Sequence, residues 1–218
     1  MSDESIFREV DEEVRHEQLQ KLWEKYGIYV ISVCVGVVVA VGGIKGWQAY
    51  QRSVAETAGV EYVEAVELAE KGDAEEAGKR FAELASSGPA GYAALANFQV
   101  AAAFADAGKV QEAIKAYDKI AANDSLDQML RNLARIKAGL LAVDRSSLAD
   151  IESRLGDLNT RENPWRNAAR EIIALAAFKA GDVKQADRLY TEIIGDLTAP
   201  QGMRERAQIM LSLLQPKL

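Results

Sequence analysis

The sequence predicts an all-α protein, in which a single transmembrane helix precedes a right-handed solenoid of about four helical hairpins and a capping helix. Three observations support this fold class. Alanine supplies 36 of the 218 residues while proline supplies only 4, a composition that favours helices over sheets. One long segment carries no charged residue, and a short motif recurs about every 36 residues after it. Such periods are typical of stacked helical repeats.

The composition excludes several classes of function. A formal net charge of -7 disfavours nucleic acid as a partner. The single Cys and single His exclude a disulfide framework, Cys-based zinc sites and paired-His metal motifs. That histidine, His16, lies between Arg15 and Glu17, and is interpreted as a solvated surface residue. The sequence therefore predicts no enzyme activity, no cofactor, no metal and no small-molecule substrate.

An uncharged segment runs from Gly27 to Ile44. As a helix it would extend about 27 Å, close to the thickness of the hydrocarbon core of a bilayer. Aromatic residues flank it at both ends, as in interfacial belts: Trp23, Tyr26 and Tyr29 before, Trp47 and Tyr50 after. A cleavable signal peptide would need a short basic region before the apolar run, whereas this region is long and acidic. Residues 26–46 are therefore interpreted as an uncleaved anchor.

Basic residues near the anchor predict its orientation. Four precede it (Arg8, Arg15, Lys21 and Lys25) and two follow it within a similar distance (Lys45 and Arg52). The side richer in bases is normally cytoplasmic. Residues 1–25 are thus predicted to form an acidic, amphipathic cytoplasmic tail. The remainder, 47–218, is predicted to lie in the periplasm of a bacterial inner-membrane protein.

Small residues recur on one side of the anchor. Ser32, Gly36 and Ala40 follow a four-residue spacing, and Gly42 and Gly46 repeat it at the exit. Stripes of this kind let two helices approach closely in lipid. We interpret these five residues as a candidate membrane packing stripe.

The repeat motif occurs in three places. In each, a glycine is followed five residues later by Ala and nine residues later by an aromatic residue. The three sets are Gly72, Ala77 and Phe81; Gly108, Ala113 and Tyr117; Gly181, Ala186 and Tyr190. The glycine ends one helix in a left-handed conformation, and the alanine permits a close approach of two helices. The glycines are 36 and then 73 residues apart, so a degenerate fourth turn is expected near Asp144.

This pattern resembles the tetratricopeptide repeat, and the resemblance implies a concave groove built by the first helix of each hairpin. Solenoids of this kind bind segments of other proteins. Placing the turn glycine at its usual position puts a mixed aromatic and charged set on that face: Tyr62, Phe98, Arg131, Arg135, Glu171 and Phe178. The alternative, that Phe98 and Phe178 are ordinary core residues, stays open.

The layout of the whole chain resembles the ancillary SecYEG translocon subunits, the YfgM-like proteins. The most specific parts are the opening Ile6-Phe-Arg-Glu-Val-Asp-Glu-Glu13 and the Gly46-Trp47-x2-Tyr50 exit from the anchor. The resemblance implies an adaptor that associates with the Sec translocon, with a membrane-anchored periplasmic chaperone and with exported client proteins.

Two alternative functions remain open on the sequence. The chain could be a scaffold for another envelope complex, in cell division or outer-membrane assembly. It could also contact a cytoplasmic regulator through the acidic tail, with the repeats receiving the signal.

Overall fold

A computed structural model describes the backbone of residues 3–215 and the side chains of 23–29 and 31–215. Within that part of the chain nine α-helices follow one another and no strand occurs, which confirms the all-α prediction. The helices are α1 Asp3–Glu70, α2 Ala74–Ser87, α3 Ala90–Asp106, α4 Val110–Ala121, α5 Gln128–Ala142, α6 Leu148–Leu155, α7 Arg166–Ala180, α8 Val183–Gly195 and α9 Gln201–Leu214. The residues divide into two units, Met1–Glu56 and Thr57–Leu218.

The first unit contains the predicted anchor, which is part of a helix that continues from Asp3 to Glu70. No Gly or Pro, the residues that most often break a helix, occurs between Trp47 and Val54. Apolar side chains along the segment are exposed, including Val38 at 70% and Val39 at 68%. By its length and composition the helix can cross a membrane. The amphipathic pattern predicted for 1–25 lies mostly outside the described side chains.

In the second unit, each helix from α2 to α9 packs against its neighbour in sequence, as expected for consecutive hairpins. Three turns share one hydrogen-bonding pattern. The amide of each turn glycine bonds the carbonyl three residues earlier, and the following amide bonds the carbonyl five residues earlier. This is the Schellman motif, and Gly72, Gly108 and Gly181 adopt φ values of 90°, 72° and 83°. The prediction that these glycines end helices is confirmed.

The small and aromatic residues of the motif are buried between helices. Ala113 and Ala186 are fully inaccessible, and Tyr117 and Tyr190 are nearly so. Burial raises the pKa of the Tyr190 hydroxyl to about 12, with a smaller contribution from Glu171. The motif residues of the first repeat belong to a separate small core with Ala58, Ala65 and Ala96.

The turn between α5 and α6 contains no glycine, as the degenerate fourth unit predicted. Its amides at Arg145 and Ser146 both bond the carbonyl of Ala142. Ser147 and Asp150 then form a reciprocal capping box that begins α6, a strong start signal. α6 ends at Leu155, and the chain continues as a short 3-10 turn, Gly156–Leu158.

Polar contacts join residues of neighbouring repeats that lie about one repeat length apart in the sequence. Gln99 donates to Tyr62 across 37 residues, Lys179 pairs with Asp144 across 35, and Arg206 pairs with Glu171 across 35. Arg154 also bonds Asp118, 36 residues away. Each of these contacts ties one hairpin to the next one.

The loop between α8 and α9 is fixed by one carboxylate. Asp196 accepts hydrogen bonds from Arg166 Nε at 2.7 Å, from the Thr198 hydroxyl at 2.7 Å and from Asn167 at 3.1 Å. The hydrogen bond from Arg166, followed by that from Thr198, holds the pKa of Asp196 well below its ordinary value. This network attaches the start of α7 to the entrance of the capping helix α9.

Candidate interaction surface

A line of side chains runs along α5, in which three are exposed and Leu133 is half-buried. Met129, Leu133, Lys137 and Leu140 follow a spacing of four, four and three residues, which places them on one side of a helix. Met129 and Leu140 are 55% and 56% exposed, an unusual state for large apolar side chains in the middle of a packed array. This side of α5 therefore presents apolar surface without a partner among the described residues.

The exposed side of α3 borders the same space. Ala102, Ala105 and Asp106 of α3 line a cavity of about 220 Å³ together with Lys137 and Leu140 of α5. Tyr117 and Leu141 complete the lining. Leu95 of α3 and Met129 of α5 are exposed further along the same two helices. We call the cavity and these two residues together the first-helix groove. First helices of successive repeats are thus brought together, as the resemblance to tetratricopeptide repeats implies.

The groove carries one charge of each sign, on Asp106 and Lys137. Burial raises the pKa of the Tyr117 hydroxyl at its floor, and the nearby Asp106 carboxylate adds to this effect. At neutral pH the floor is therefore uncharged. An apolar surface with a cation and an anion beside it is a combination found where proteins bind other polypeptides.

The predicted aromatic residues of the groove are half-buried. Tyr62 meets Phe81 edge-on, with 5.6 Å between ring centroids, and Phe98 lies 5.9 Å from Tyr117. Phe178 packs against the main core. Each of these rings therefore contributes to packing between helices, whatever part it takes in binding.

The predicted charged residues are paired within the chain. Arg131 donates to Asp124 and Gln128, and Arg135 donates to Asp157 and to the carbonyl of Arg154. The hydrogen bond from Arg135 lowers the pKa of Asp157.

Glu171 accepts two hydrogen bonds from Arg206, at 2.7 and 3.0 Å, and raises the pKa of that guanidinium. A partner would have to compete for these groups, so their role in binding stays a prediction.

The sequence pattern missed Leu133, Lys137 and Leu140 for a definite reason. In the three glycine-containing repeats, the second helix begins two residues after the glycine. A turn centred on residue 144 would start α6 at residue 146, but α6 begins at Leu148. Moving the predicted positions 131 and 135 forward by the same two residues gives Leu133 and Lys137. The capping pair Ser147 and Asp150 was the signal that could have corrected the register.

The candidate packing stripe lies in the first unit. Gly36, Gly42 and Gly46 have no atom within 4 Å of the position that a Cβ would occupy, and Ala40 is exposed. Ser32 donates its hydroxyl to the carbonyl of Ile28 at 2.8 Å, which satisfies that polar group within the helix. The role of the stripe in helix association stays a prediction.

Reactive side chains are sparse in the described part of the chain. No group of three or more His, Cys, Asp or Glu side chains is placed there to hold a metal ion. Cys34 is exposed within the apolar segment, and the side chain of His16 lies outside the described residues. Described carboxylates such as Asp157 and Asp196 are engaged in ion pairs, with Arg135 and Arg166.

In a comparison with known families, residues 20–155 match the tetratricopeptide repeat-like domain. The matched region includes the apolar segment and ends at the last residue of α6. No curated protein matches the chain.

Proposed function

Because the chain belongs to the tetratricopeptide repeat-like domain family, we propose that it is a non-enzymatic, membrane-anchored adaptor that binds other proteins. The observation that carries this proposal is the first-helix groove, where Leu95, Met129 and Leu140 are exposed. Exposed apolar side chains that line a concave surface mark sites of protein interaction. A long apolar helix at the N-terminal side supplies the anchor.

We further propose that the adaptor is an accessory subunit of the Sec translocon, with its N-terminus in the cytoplasm and its repeats in the periplasm. Its partners would be translocon subunits, a membrane-anchored periplasmic chaperone and exported clients. The support for this finer assignment is the layout of the chain, with its acidic opening, single anchor and adjoining repeats, together with the excess of bases before the anchor. The predicted boundaries at residues 25 and 46 belong to the same proposal.

The experiment is crosslinking in living cells from the first-helix groove. A photoreactive amino acid at Leu140 should capture translocon subunits, a periplasmic chaperone or an exported protein, identified by mass spectrometry after purification in detergent. The same amino acid at Lys115, an exposed residue of the second helix α4, is the control and should capture little. Recovery of only cell-division or outer-membrane components would refute the translocon assignment and retain the adaptor.

A second comparison tests the groove itself. Met129→Glu combined with Leu140→Glu places two charges in the apolar line and should abolish the crosslinks formed from Leu95. Lys115→Glu with Lys184→Glu, on the second helices α4 and α8, changes charge without touching the groove. If only the second pair abolishes the crosslinks, the adaptor binds through its other face.

A further inference from the structure

A second depression lies on the other side of α3 from the first-helix groove. Ala93 and Asn97 line it, and each is two residues from Leu95, which places them about 200° around the helix from that groove residue. The remaining walls come from the end of α2, the end of α4 and the loop that follows α4. We call this space the alanine pocket.

The alanine pocket is roomy because its walls carry short side chains. Five of its eleven lining residues are alanine, and its volume is about 470 Å³. Cavities of roughly 150 Å³ already hold benzene, so a phenyl or isobutyl group fits with space for its neighbours. Ile120 and Leu126 provide larger apolar surface in the lining.

One charge borders the alanine pocket. Lys119 is the only charged residue in its lining, and it has no ion-pair partner among the described residues. The positions four before and four after it are Lys115 and Asn123, so neither of them supplies a carboxylate for an ion pair along the helix. The two nearest acids in sequence are paired elsewhere: Asp118 is bound to Arg154 and Asp124 to Arg131.

The polar groups of the alanine pocket suit a polypeptide backbone. Asn97, Asn123 and Ser125 line it beside the alanines. Asn97 donates to the carbonyl of Ala93, and Asn123 accepts from the amide of Ser125. The other side-chain polar atoms of these residues can donate to or accept from peptide groups. A free cation beside an apolar cavity complements an apolar side chain that is followed or preceded by a carboxylate.

We propose that the alanine pocket is a second docking site, which takes an apolar side chain of a protein partner that carries Asp or Glu beside it. The proposal rests on the proposed function for the class of partner, since an adaptor binds proteins, but it uses none of the residues of the first-helix groove. A chain with two sites on opposite sides of α3 holds two partners at once.

The test is selection of a phage-displayed library of random peptides on the full chain in lipid nanodiscs. Enriched peptides should contain Leu, Ile or Phe next to Asp or Glu. A fluorescein-labelled copy of one such peptide should bind Ala122→Trp at least about tenfold more weakly, because the indole fills the alanine pocket. Ala122 is exposed at the end of α4; if this variant melts early, Ser125→Trp in the adjoining loop replaces it.

Charge reversal supplies the specific readout. Selection on Lys119→Glu should enrich peptides with Lys or Arg in place of the acid, while selection on the matched control Lys115→Glu should enrich the original acidic peptides. Peptides that carry no charge preference, or that bind Ala122→Trp as well as the parent chain, would overturn the proposal. So would a phospholipid that co-purifies with the parent chain and is lost from Ala122→Trp.

The alanine-pocket proposal can fail without the proposed adaptor function failing, and one variant distinguishes the two cases. Met129→Glu with Leu140→Glu should leave the selected peptides bound, because these residues lie in the first-helix groove. Loss of peptide binding in that variant, with normal binding to Ala122→Trp, overturns the alanine pocket and retains the adaptor.

Discussion

Gly139 of α5 faces Leu155 of α6 at a distance that leaves no space for a side chain. A Cβ at position 139 would lie 2.7 Å from Leu155 Cδ1 and 3.2 Å from its Cγ, whereas carbon atoms in contact normally lie about 3.5–4.0 Å apart. Leu155 is fully buried, so its side chain cannot turn into solvent. Gly139→Ala must therefore displace α6 or force Leu155 from its rotamer.

The expected magnitude follows from two opposing effects. Overpacking a close contact costs about 1–3 kcal/mol, and replacing a helical Gly by Ala returns about 0.5–1 kcal/mol. We expect Gly139→Ala to lower the free energy of unfolding by about 1 kcal/mol. Gly78→Ala is the matched control, because Gly78 also lies inside a helix but nothing is within 4 Å of its Cβ position. That variant should raise the free energy of unfolding by about 0.5–1 kcal/mol.

The assay is thermal unfolding of the full chain in detergent, followed by circular dichroism. A difference of about 2 kcal/mol between the two variants corresponds to roughly 4–8 °C in Tm. Leu155→Val in the Gly139→Ala background removes both Cδ atoms from the contact and should recover part of the loss. An equal or higher Tm for Gly139→Ala than for Gly78→Ala would refute the reasoning, since the contact would then have no energetic consequence.

Four further predictions concern the repeats, the loop network and the orientation. Ala113→Leu, at a fully inaccessible site, should lower the free energy of unfolding by about 1–3 kcal/mol. Ala82→Leu, on the exposed side of α2, should change it by less than about 0.5 kcal/mol. Unfolding in urea measures both, and equal midpoints for the two variants would contradict the repeat register. Gly108→Ala, at φ 72°, should cost about 1–2 kcal/mol, measured in the same titration, and a neutral effect would mean that the turn tolerates a side chain. The pKa of Asp196 is lower in the folded chain than in the unfolded one, so its ion pair stabilises the fold at neutral pH and loses this effect as the pH falls below about 4. The difference in free energy of unfolding between the parent chain and Asp196→Asn should therefore shrink in acid. A difference that is constant with pH would contradict this prediction. Alkaline phosphatase fused after Leu218 should be active in a Gram-negative cell, and activity from a cytosol-restricted reporter at that position would reverse the orientation.

Local signals predicted most of the helices because each signal acts within a few residues. The starts of α4 and α8 follow from Gly108 and Gly181, which adopt the left-handed conformation two residues before the next helix begins. Pro89 and Pro200 stand directly before α3 and α9, where the missing amide hydrogen of proline costs no helical hydrogen bond. The continuity of α1 follows from the absence of any residue that breaks a helix between Trp47 and Val54.

The position of the groove on α5 could not be predicted in the same way. The position of α5 within the repeat depends on the length of the α5–α6 turn, which contains no glycine. That turn ends two residues later than predicted, so Lys137 takes the position on the groove that the sequence pattern assigned to Arg135. The ion pairs formed by Arg135 and Glu171 also escaped prediction, because each joins segments whose distance is set by helix packing. The alanine pocket has no sequence signature, since alanines that line a cavity look the same as alanines that fill a core.

The polar contacts between neighbouring repeats have a consequence for the folding of the chain. Contacts that join residues about 35–37 positions apart link only neighbouring repeats, and in repeat arrays each unit depends on its neighbours alone. A hairpin can complete its contacts as soon as the next hairpin has been synthesised, without waiting for the C-terminal helices. A chain that emerges gradually, from a ribosome or through a pore, can therefore fold in the order in which it appears.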